Sequence, residues 1–156
     1  EGEGQLLDHL VGLDGSRADL IAVHAGGSRH PASHATVERR EHYLRLHGAE
    51  VFRFAVAKVC ELVREMTARH GLRLDDIGLL VPHQANGRIL DAVTRTLGLD
   101  PERVMVNVER YGNTSNASIP LALDEAVRTG RIEPGSFVLL VAFGGGLSWG
   151  ASLLRW

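Results

Sequence analysis

The chain has 156 residues, of which 44% are hydrophobic and 23% charged, with 17 basic against 19 acidic side chains. These proportions are those of an ordinary globular domain, and they exclude a disordered, collagen-like or coiled-coil chain. The formal net charge of −2 provides no overall basic field. We therefore expect neither nucleic acid nor an anionic membrane surface as a partner.

The cysteine content and the chain ends bear on the cellular compartment. Cys60 is the sole cysteine, so no intrachain disulfide and no cysteine-based zinc site can form. The longest apolar run, residues 137–143, is too short to span a bilayer, and the opening Glu1-Gly2-Glu3-Gly4 lacks the basic and apolar regions of a signal peptide. A reducing cytoplasm is the simplest interpretation. Because the chain has no initiator Met and opens directly in strand-like sequence, we expect it to be a piece of a longer protein.

The first half of the chain is predicted to contain a hairpin, a loop and one long helix. Aliphatic residues 6–13 and 20–23 flank Asp14-Gly15-Ser16, and Asp-Gly is a strong turn signal, so the two runs should pair as strands. Gly, Pro and Ser punctuate residues 25–36, which predicts a loop. Apolar residues at three- and four-residue steps predict a helix over 49–70, with Gly71 as a left-handed C-terminal cap.

The second half of the chain alternates strands and helices. Strands are predicted over 77–81, 104–106, 137–143 and 147–154, and helices over 86–97 and 116–128. The 137–143 run is almost entirely apolar, which indicates a strand buried on both faces. This alternation predicts an α/β layered fold.

Three loops carry candidate catalytic or binding residues, and the first is Val81-Pro82-His83-Gln84-Ala85-Asn86. It lies at the carboxyl end of a predicted strand, where the ligands of α/β sheets tend to gather. Histidine can donate or accept near neutral pH, and the helix that follows adds the positive end of its dipole. Taken alone, His83 is more often a residue that caps or packs, and Gln84 and Asn86 favour a functional role only somewhat.

The other two loops supply an amide side chain and a glycine-rich backbone. In residues 111–118, predicted to follow a strand and open a helix, Asn113 can either cap helix amides or aim its amide N–H₂ at an oxyanion. Residues 142–150 place three glycines between buried strands, which suits a tight turn or close approach of backbone to a ligand. A strand follows them, so a dinucleotide cradle is not expected. Together the three loops suit charge development on a carbonyl oxygen.

Three motifs, in their order and spacing, resemble the β-ketoacyl-acyl carrier protein synthase III family. They are Val-Pro-His-Gln-Ala-Asn at 81–86, Gly-Asn-Thr-Ser at 112–115 and Phe-Gly-Gly-Gly-Leu-Ser-Trp-Gly at 143–150, supported by matches at 48–52 and 123–126. The resemblance covers nearly all of the chain, and it is to the C-terminal half of that family. It implies that residues 1–156 form half of a thiolase-like α/β fold, a mixed sheet with flanking helices.

The same resemblance implies that the family's nucleophilic cysteine lies in an N-terminal half absent from this chain. Cys60 is no substitute, because it sits on the apolar face of the predicted long helix, where a small buried thiol is expected.

By this resemblance the intact protein is a transferase of lipid metabolism. It is an acyltransferase that joins acyl-CoA to malonyl-acyl carrier protein by decarboxylative Claisen condensation, at the initiation of fatty acid or polyketide synthesis. The resemblance implies a homodimer, with no cofactor and with CoA and phosphopantetheine thioesters as substrates. His83 and Asn113 match the catalytic donors to the thioester oxygen, and the amide of Gly145 matches part of the oxyanion hole.

The resemblance extends to binding residues. Gly48, Phe52 and Asn86 match positions lining the pantetheine channel. Arg88, Arg95 and Arg53 would form a basic patch for the carrier protein and the CoA phosphate. For Arg95 and Arg53 a role as solvated helix arginines is an equally good interpretation, whereas Arg88 favours function.

The histidine cluster of the glycine- and serine-rich loop is not expected to bind metal. Pro31 breaks any helical spacing among His24, His30 and His34, and no carboxylate lies between them.

Two alternatives stay open beside the synthase. The first is a thiolase-fold acyltransferase of secondary metabolism that uses the same scaffold for another bond. The second is a non-catalytic partner subunit or fragment that supports a catalytic half on another chain. The joint presence of His83 and Asn113 favours decarboxylation.

Overall fold

A computed structural model describes residues 4–156. The predicted absence of a signal peptide rests partly on residues 1–3, which lie outside this range. The elements, in chain order, are β1 (Gln5–Leu13), β2 (Ile21–Ala22), α1 (His34–Glu38), β3 (Arg45–Leu46), α2 (Gly48–Arg69), β4 (Ile77–Pro82), α3 (Gly87–Leu97), α4 (Val108–Tyr111), α5 (Ser118–Arg128), β5 (Phe137–Gly144) and β6 (Ser148–Arg155). The main sheet has the strand order β1-β6-β5-β4, and β2 pairs with β3 in a small second sheet. β4 runs parallel to β5, and the other neighbours are antiparallel, so the sheet is mixed as predicted.

Helices cover both faces of the main sheet. Side chains alternate along each strand, so both faces carry apolar residues that the helices bury. On one face α2 and α3 pack against Leu80 and Leu139, and on the other α5 packs against Leu79 and Val138. β5 therefore sends buried residues into two separate cores, as its apolar sequence predicted.

The two longer predicted helices in the middle of the chain are confirmed, and their ends show why they stop. α2 is followed by Gly71, whose φ of +64° is left-handed, and α3 ends at Gly98, whose φ is +67°. Asn86 begins α3 as its N-cap, since its Oδ1 accepts the Arg88 amide at 3.0 Å.

The predicted hairpin between residues 6–13 and 20–23 is wrong. β1 pairs instead with β6, in a register that runs from Gln5–Arg155 to Leu13–Ser148. After Leu13 the chain enters a 3₁₀ turn, Gly15–Leu20, in which Asp14 Oδ1 accepts the Ser16 amide at 3.0 Å. Only Ile21–Ala22 remain extended, so β6 offers β1 a far longer ladder of hydrogen bonds than β2 would.

Three smaller expectations also need correction. The 104–106 segment is not a strand: it forms an isolated bridge in which the Met105 amide donates to the Leu80 carbonyl at 2.8 Å. The loop that carries Asn113 therefore follows the short helix α4, not a strand, and α5 begins at Ser118 after a 3₁₀ turn. The predicted 25–36 loop gives way to α1 at His34.

Candidate active site

A cavity of about 850 Å³ lies beside the carboxyl ends of the parallel strands β4 and β5. His83 lines it from the β4–α3 loop, Asn113 from the loop before α5, and Gly145 from the β5–β6 turn. The fold thus brings together the three loops that the sequence singled out, although residues 83 and 145 are far apart in the chain. This sheet edge is where α/β proteins bind ligands.

Three contacts hold His83 at the cavity wall: one through its backbone amide and two through its ring. Its amide donates to the Val141 carbonyl at 2.8 Å, and Phe143 meets its ring edge-on with centroids 5.6 Å apart. The ring Nδ1 lies 2.5 Å from Ser118 Oγ. Burial lowers the pKa of His83 below its usual value, because the charged imidazolium loses solvation. The ring is therefore neutral at physiological pH.

Asn113 is exposed at the mouth of the same cavity. Its Oδ1 accepts the Ser115 amide at 3.0 Å, which turns the chain after Gly112, whose φ is +69°. Asn113 thus holds a local turn ahead of the 3₁₀ turn, whose N-cap residue is Thr114. Because the carbonyl oxygen is used in this way, the amide N–H₂ is the part of the side chain available to a ligand.

The glycines of the β5–β6 turn allow backbone to run where a side chain would not fit. Gly146 has a φ of +135°, and a Cβ there would lie 2.8 Å from Leu13 Cδ1. A Cβ on Gly145 would lie 3.4 Å from the Ile21 carbonyl oxygen, an ordinary contact distance, so the requirement for glycine falls on Gly146. The predicted tight turn is confirmed, and it exposes the backbone of Gly145 to the cavity.

Gln84 connects the His83 loop to the segment that leads into α4, a role that sequence reasoning missed. Its side chain is only 1% exposed. Its Nε2 donates to the carbonyls of Pro82 at 2.9 Å and Met105 at 3.0 Å, while its Oε1 accepts the amides of Asn107 at 2.9 Å and Val108 at 3.1 Å. All four hydrogen-bonding positions are thus satisfied. Gln84 thereby fixes the start of α4, and with it the approach to Asn113, relative to the His83 loop.

The residues assigned to substrate binding divide into two groups. Gly48 and Phe52 from the start of α2, and Asn86 from the N-cap of α3, line the cavity with His83. Arg53, Arg88 and Arg95 are exposed on α2 and α3 and do not line it. The cavity wall also includes apolar residues that sequence analysis did not name: Ile21, Leu44 and Leu46. They come from the segment around the small β2–β3 sheet. Ile21 lies in the run predicted to form the hairpin, and no element was predicted at residues 44–46.

Cys60 lies in the core between α2 and the sheet, away from the cavity. It is 2% exposed, and burial raises the pKa of its thiol. Both properties oppose formation of a nucleophilic thiolate.

The histidine-rich loop, which was considered for metal, holds a hydrogen-bonding contact between a histidine and a carboxylate. His30 Nε2 lies 2.7 Å from Glu41 Oε2. Between residues 4 and 156, no three His, Cys, Asp or Glu side chains are grouped so as to hold a metal ion. In the same part of the chain, no helix has both the length and the apolar character needed to cross a membrane.

The layered mixed sheet, with its cavity at the strand ends, makes this chain an α/β domain, and its likeness to solved synthase III structures places it in the thiolase-like class. The sequence profile described as "3-Oxoacyl-[acyl-carrier-protein (ACP)] synthase III C terminal" matches residues 67–156. The chain belongs to this family.

Individual relatives agree with that assignment. The beta-ketoacyl-[acyl-carrier-protein] synthase III of Symbiobacterium thermophilum is 50% identical over 156 residues, and that of Solibacter usitatus is 46% identical over the same length. The crystal structure of the synthase III from Thermus thermophilus superposes with a TM-score of 0.84 at 43% identity, covering 100% of this chain and 47% of that one. The chain spans about half the length of the curated relatives it matches.

Proposed function

We propose that this chain is the C-terminal half of a β-ketoacyl-acyl carrier protein synthase III, an acyltransferase that starts fatty acid or polyketide chains. One observation carries the proposal: His83, Asn113 and Gly145 come from three distant segments and line one cavity. Family membership and the 46–50% identity of curated relatives support it.

The proposed reaction has two stages. An acyl group first leaves CoA, which departs as the thiol, and forms a thioester with a cysteine of the other half. Malonyl-acyl carrier protein then loses CO₂, and the electron pair of the broken C–C bond passes into the thioester as an enolate. The enolate carbon attacks the acyl-cysteine, the cysteine thiolate leaves, and the product is a β-ketoacyl-acyl carrier protein.

The residues of this chain act where negative charge develops. Decarboxylation places charge on the thioester oxygen, and His83 Nε2 and the Asn113 amide are the donors proposed to meet it. The lowered pKa of His83 keeps the ring neutral at working pH, and the cavity wall holds it in place before substrate arrives. The Gly145 amide is proposed to join the cysteine's own N–H in stabilising the oxyanion of acyl transfer.

The substrates are proposed to enter along the wall formed by Gly48, Phe52 and Asn86. This wall suits a pantetheine arm, which is slender and carries amides, because it combines apolar surface with one amide side chain. We assign the exposed Arg53, Arg88 and Arg95 to the acidic carrier protein and the CoA phosphate. They lie on the outer surface of α2 and α3, where a macromolecule can reach them.

The nucleophile and the rest of the enzyme are assigned to other parts of the protein. We propose that a cysteine of an N-terminal half completes the site, since Cys60 is buried away from the cavity, and that the whole enzyme is a cytoplasmic homodimer. CoA and phosphopantetheine thioesters are its substrates in this proposal, without a further cofactor.

Product analysis of the full-length protein tests the proposal. Acyl-CoA and malonyl-acyl carrier protein are incubated with the wild type, with His83→Ala and, as a matched control, with His9→Ala, which alters an exposed histidine of β1. We expect β-ketoacyl-acyl carrier protein and CO₂ from the wild type and the control, and roughly 10²–10³ less from His83→Ala.

Two other outcomes would replace the proposal with its alternatives. Acyl transfer without any CO₂ would indicate a thiolase-fold acyltransferase. Absence of both acyl transfer and CO₂ would indicate a non-catalytic partner.

A further inference from the structure

We propose that Ser118 is a positioning residue that sets the tautomer of His83, so that the ring donates from Nε2 into the cavity. The inference rests on the proposed function for its catalytic meaning, but the tautomer itself is a property of the folded chain.

The hydrogen bonds of Ser118 determine the direction of its contact with His83. Ser118 is 2% exposed, and its Oγ has two partners within residues 4–156, His83 Nδ1 at 2.5 Å and the Gln84 amide at 3.4 Å. A backbone amide can only donate, so Oγ accepts from Gln84. Oγ has a second lone pair and could also accept from His83 Nδ1, but the buried hydroxyl proton would then have no acceptor in the described part of the chain. Because an unpartnered buried donor is costly, the hydroxyl donates to His83 Nδ1.

This direction fixes where the ring carries its own proton. A neutral imidazole has one N–H, and a nitrogen that accepts a hydrogen bond cannot hold it. With Nδ1 accepting from Ser118, the proton lies on Nε2, and Nε2 becomes a donor. The opposite tautomer would present a lone pair to the cavity and repel an enolate oxygen.

Ser118 is well placed to hold the ring. It is the first residue of α5, which is anchored to the sheet through the fully buried Ala122 and Ala126. On the other side, Phe143 meets the ring edge-on at 5.6 Å. The ring is therefore held between a helix and a strand, and a donor whose direction is fixed in advance needs no reorganisation during reaction.

A simpler role for Ser118 as a helix cap does not fit its contacts. The N-cap residue of α5 is Ala117, which makes no side-chain capping bond, and Ser118 Oγ bonds none of the amides of α5. Its hydroxyl faces the site. This contact has no signature in the sequence, because a serine at the start of a helix suggests a cap and the two residues are 35 positions apart.

The test measures the tautomer directly and the reaction separately. In the full-length protein labelled with ¹⁵N-histidine, the Nδ1 and Nε2 shifts of His83 are recorded for the wild type, Ser118→Ala, Ser118→Thr and the control Ser136→Ala. Ser136 Oγ donates to the Glu133 carbonyl in a turn outside the cavity. The His83→Ala spectrum assigns the signals.

We expect Nε2–H alone in the wild type, in Ser136→Ala and in Ser118→Thr, which keeps the hydroxyl. Ser118→Ala should show a mixture of tautomers. Its decarboxylation of malonyl-acyl carrier protein should fall about tenfold with little change in KM, less than the roughly 10²–10³ expected when a donor is removed outright.

Several results would overturn the proposal. A wild-type ring protonated on Nδ1 would do so, and that measurement needs no variant to fold. An unchanged tautomer in Ser118→Ala would also do so, even if activity fell, since it would indicate a structural role. Absence of CO₂ release by the wild type would instead refute the proposed function and leave the tautomer measurement valid.

Discussion

Replacing Gln84 with leucine should destabilise the protein and loosen the loop that carries Asn113. Leucine has nearly the shape of glutamine but satisfies none of its four backbone partners. The largest cost falls on the amide of Asn107, because that residue is buried and its amide has no other acceptor in the described part of the chain.

The size of the effect follows from those partners. A buried donor left without an acceptor costs about 1–3 kcal/mol, and each lost hydrogen bond is worth about 0.5–1.5 kcal/mol net. The half-buried Val108 amide can partly reach water, and leucine returns some apolar contact. We therefore expect a loss of about 2–4 kcal/mol in the free energy of unfolding, with faster hydrogen exchange at the Asn107 and Val108 amides.

Urea unfolding of Gln84→Leu measures this loss against Gln5→Leu, which makes the same change at the exposed start of β1. A difference between the two variants of less than about 0.5 kcal/mol, which is the usual limit for surface substitutions, would refute the reasoning. Unchanged hydrogen exchange at the Asn107 and Val108 amides would refute the claim that Gln84 fixes the start of α4.

Three further predictions concern other parts of the chain. Gly98→Ala should cost about 1–2 kcal/mol in thermal or urea unfolding, because a Cβ must adopt the left-handed φ of +67°, and an unchanged stability would contradict that assignment. Hydrogen bonds from Arg39 and then His30 lower the pKa of Glu41 to about 2, so its contribution to stability is present above pH 4.5 and is lost as the pH falls toward 2. Glu41→Gln should therefore lower the melting temperature near neutral pH and not at pH 2, and a pH-independent difference would be evidence against the ion pair. Cys60 should resist alkylation and acylation by labelled acyl-CoA in the folded protein, and rapid native labelling, detected by mass spectrometry, would show that its burial is not as described.

Sequence predicted the elements whose signals are local and strong. The helix α2 follows from apolar residues at helical spacing, and its end follows from Gly71. The strand β5 is recognisable from its continuous apolar run. For these segments the pattern and the tertiary environment require the same structure.

Pairing and irregular segments could not be predicted in this way. The partner of β1 lies at the opposite end of the chain, and the Asp14-Gly15 signal pointed to the neighbouring segment instead. Residues 104–106 have strand-like side chains, but the Gln84 side chain takes the Asn107 and Val108 amides and the chain turns into α4. Such contacts depend on residues about 20 positions away.

The candidate site shows the same division. His83, Asn113 and Gly145 were identified from their loops, and the fold places them on one cavity. Their supporting residues, Gln84 and Ser118, were missed, because a buried glutamine and a serine at a helix start have no distinctive pattern. Catalytic roles for all of them stay predictions.

The central claim is that His83 and Asn113 stabilise the charge formed when a malonyl thioester loses CO₂. The most direct measurement compares, in the full-length protein, the rate of CO₂ release from malonyl-acyl carrier protein with the rate of acyl-enzyme formation from acyl-CoA, for the wild type and His83→Ala. We predict that the variant loses roughly 10²–10³ in CO₂ release and changes acyl-enzyme formation only a few-fold. Equal losses in both rates, or undiminished CO₂ release, would contradict the account.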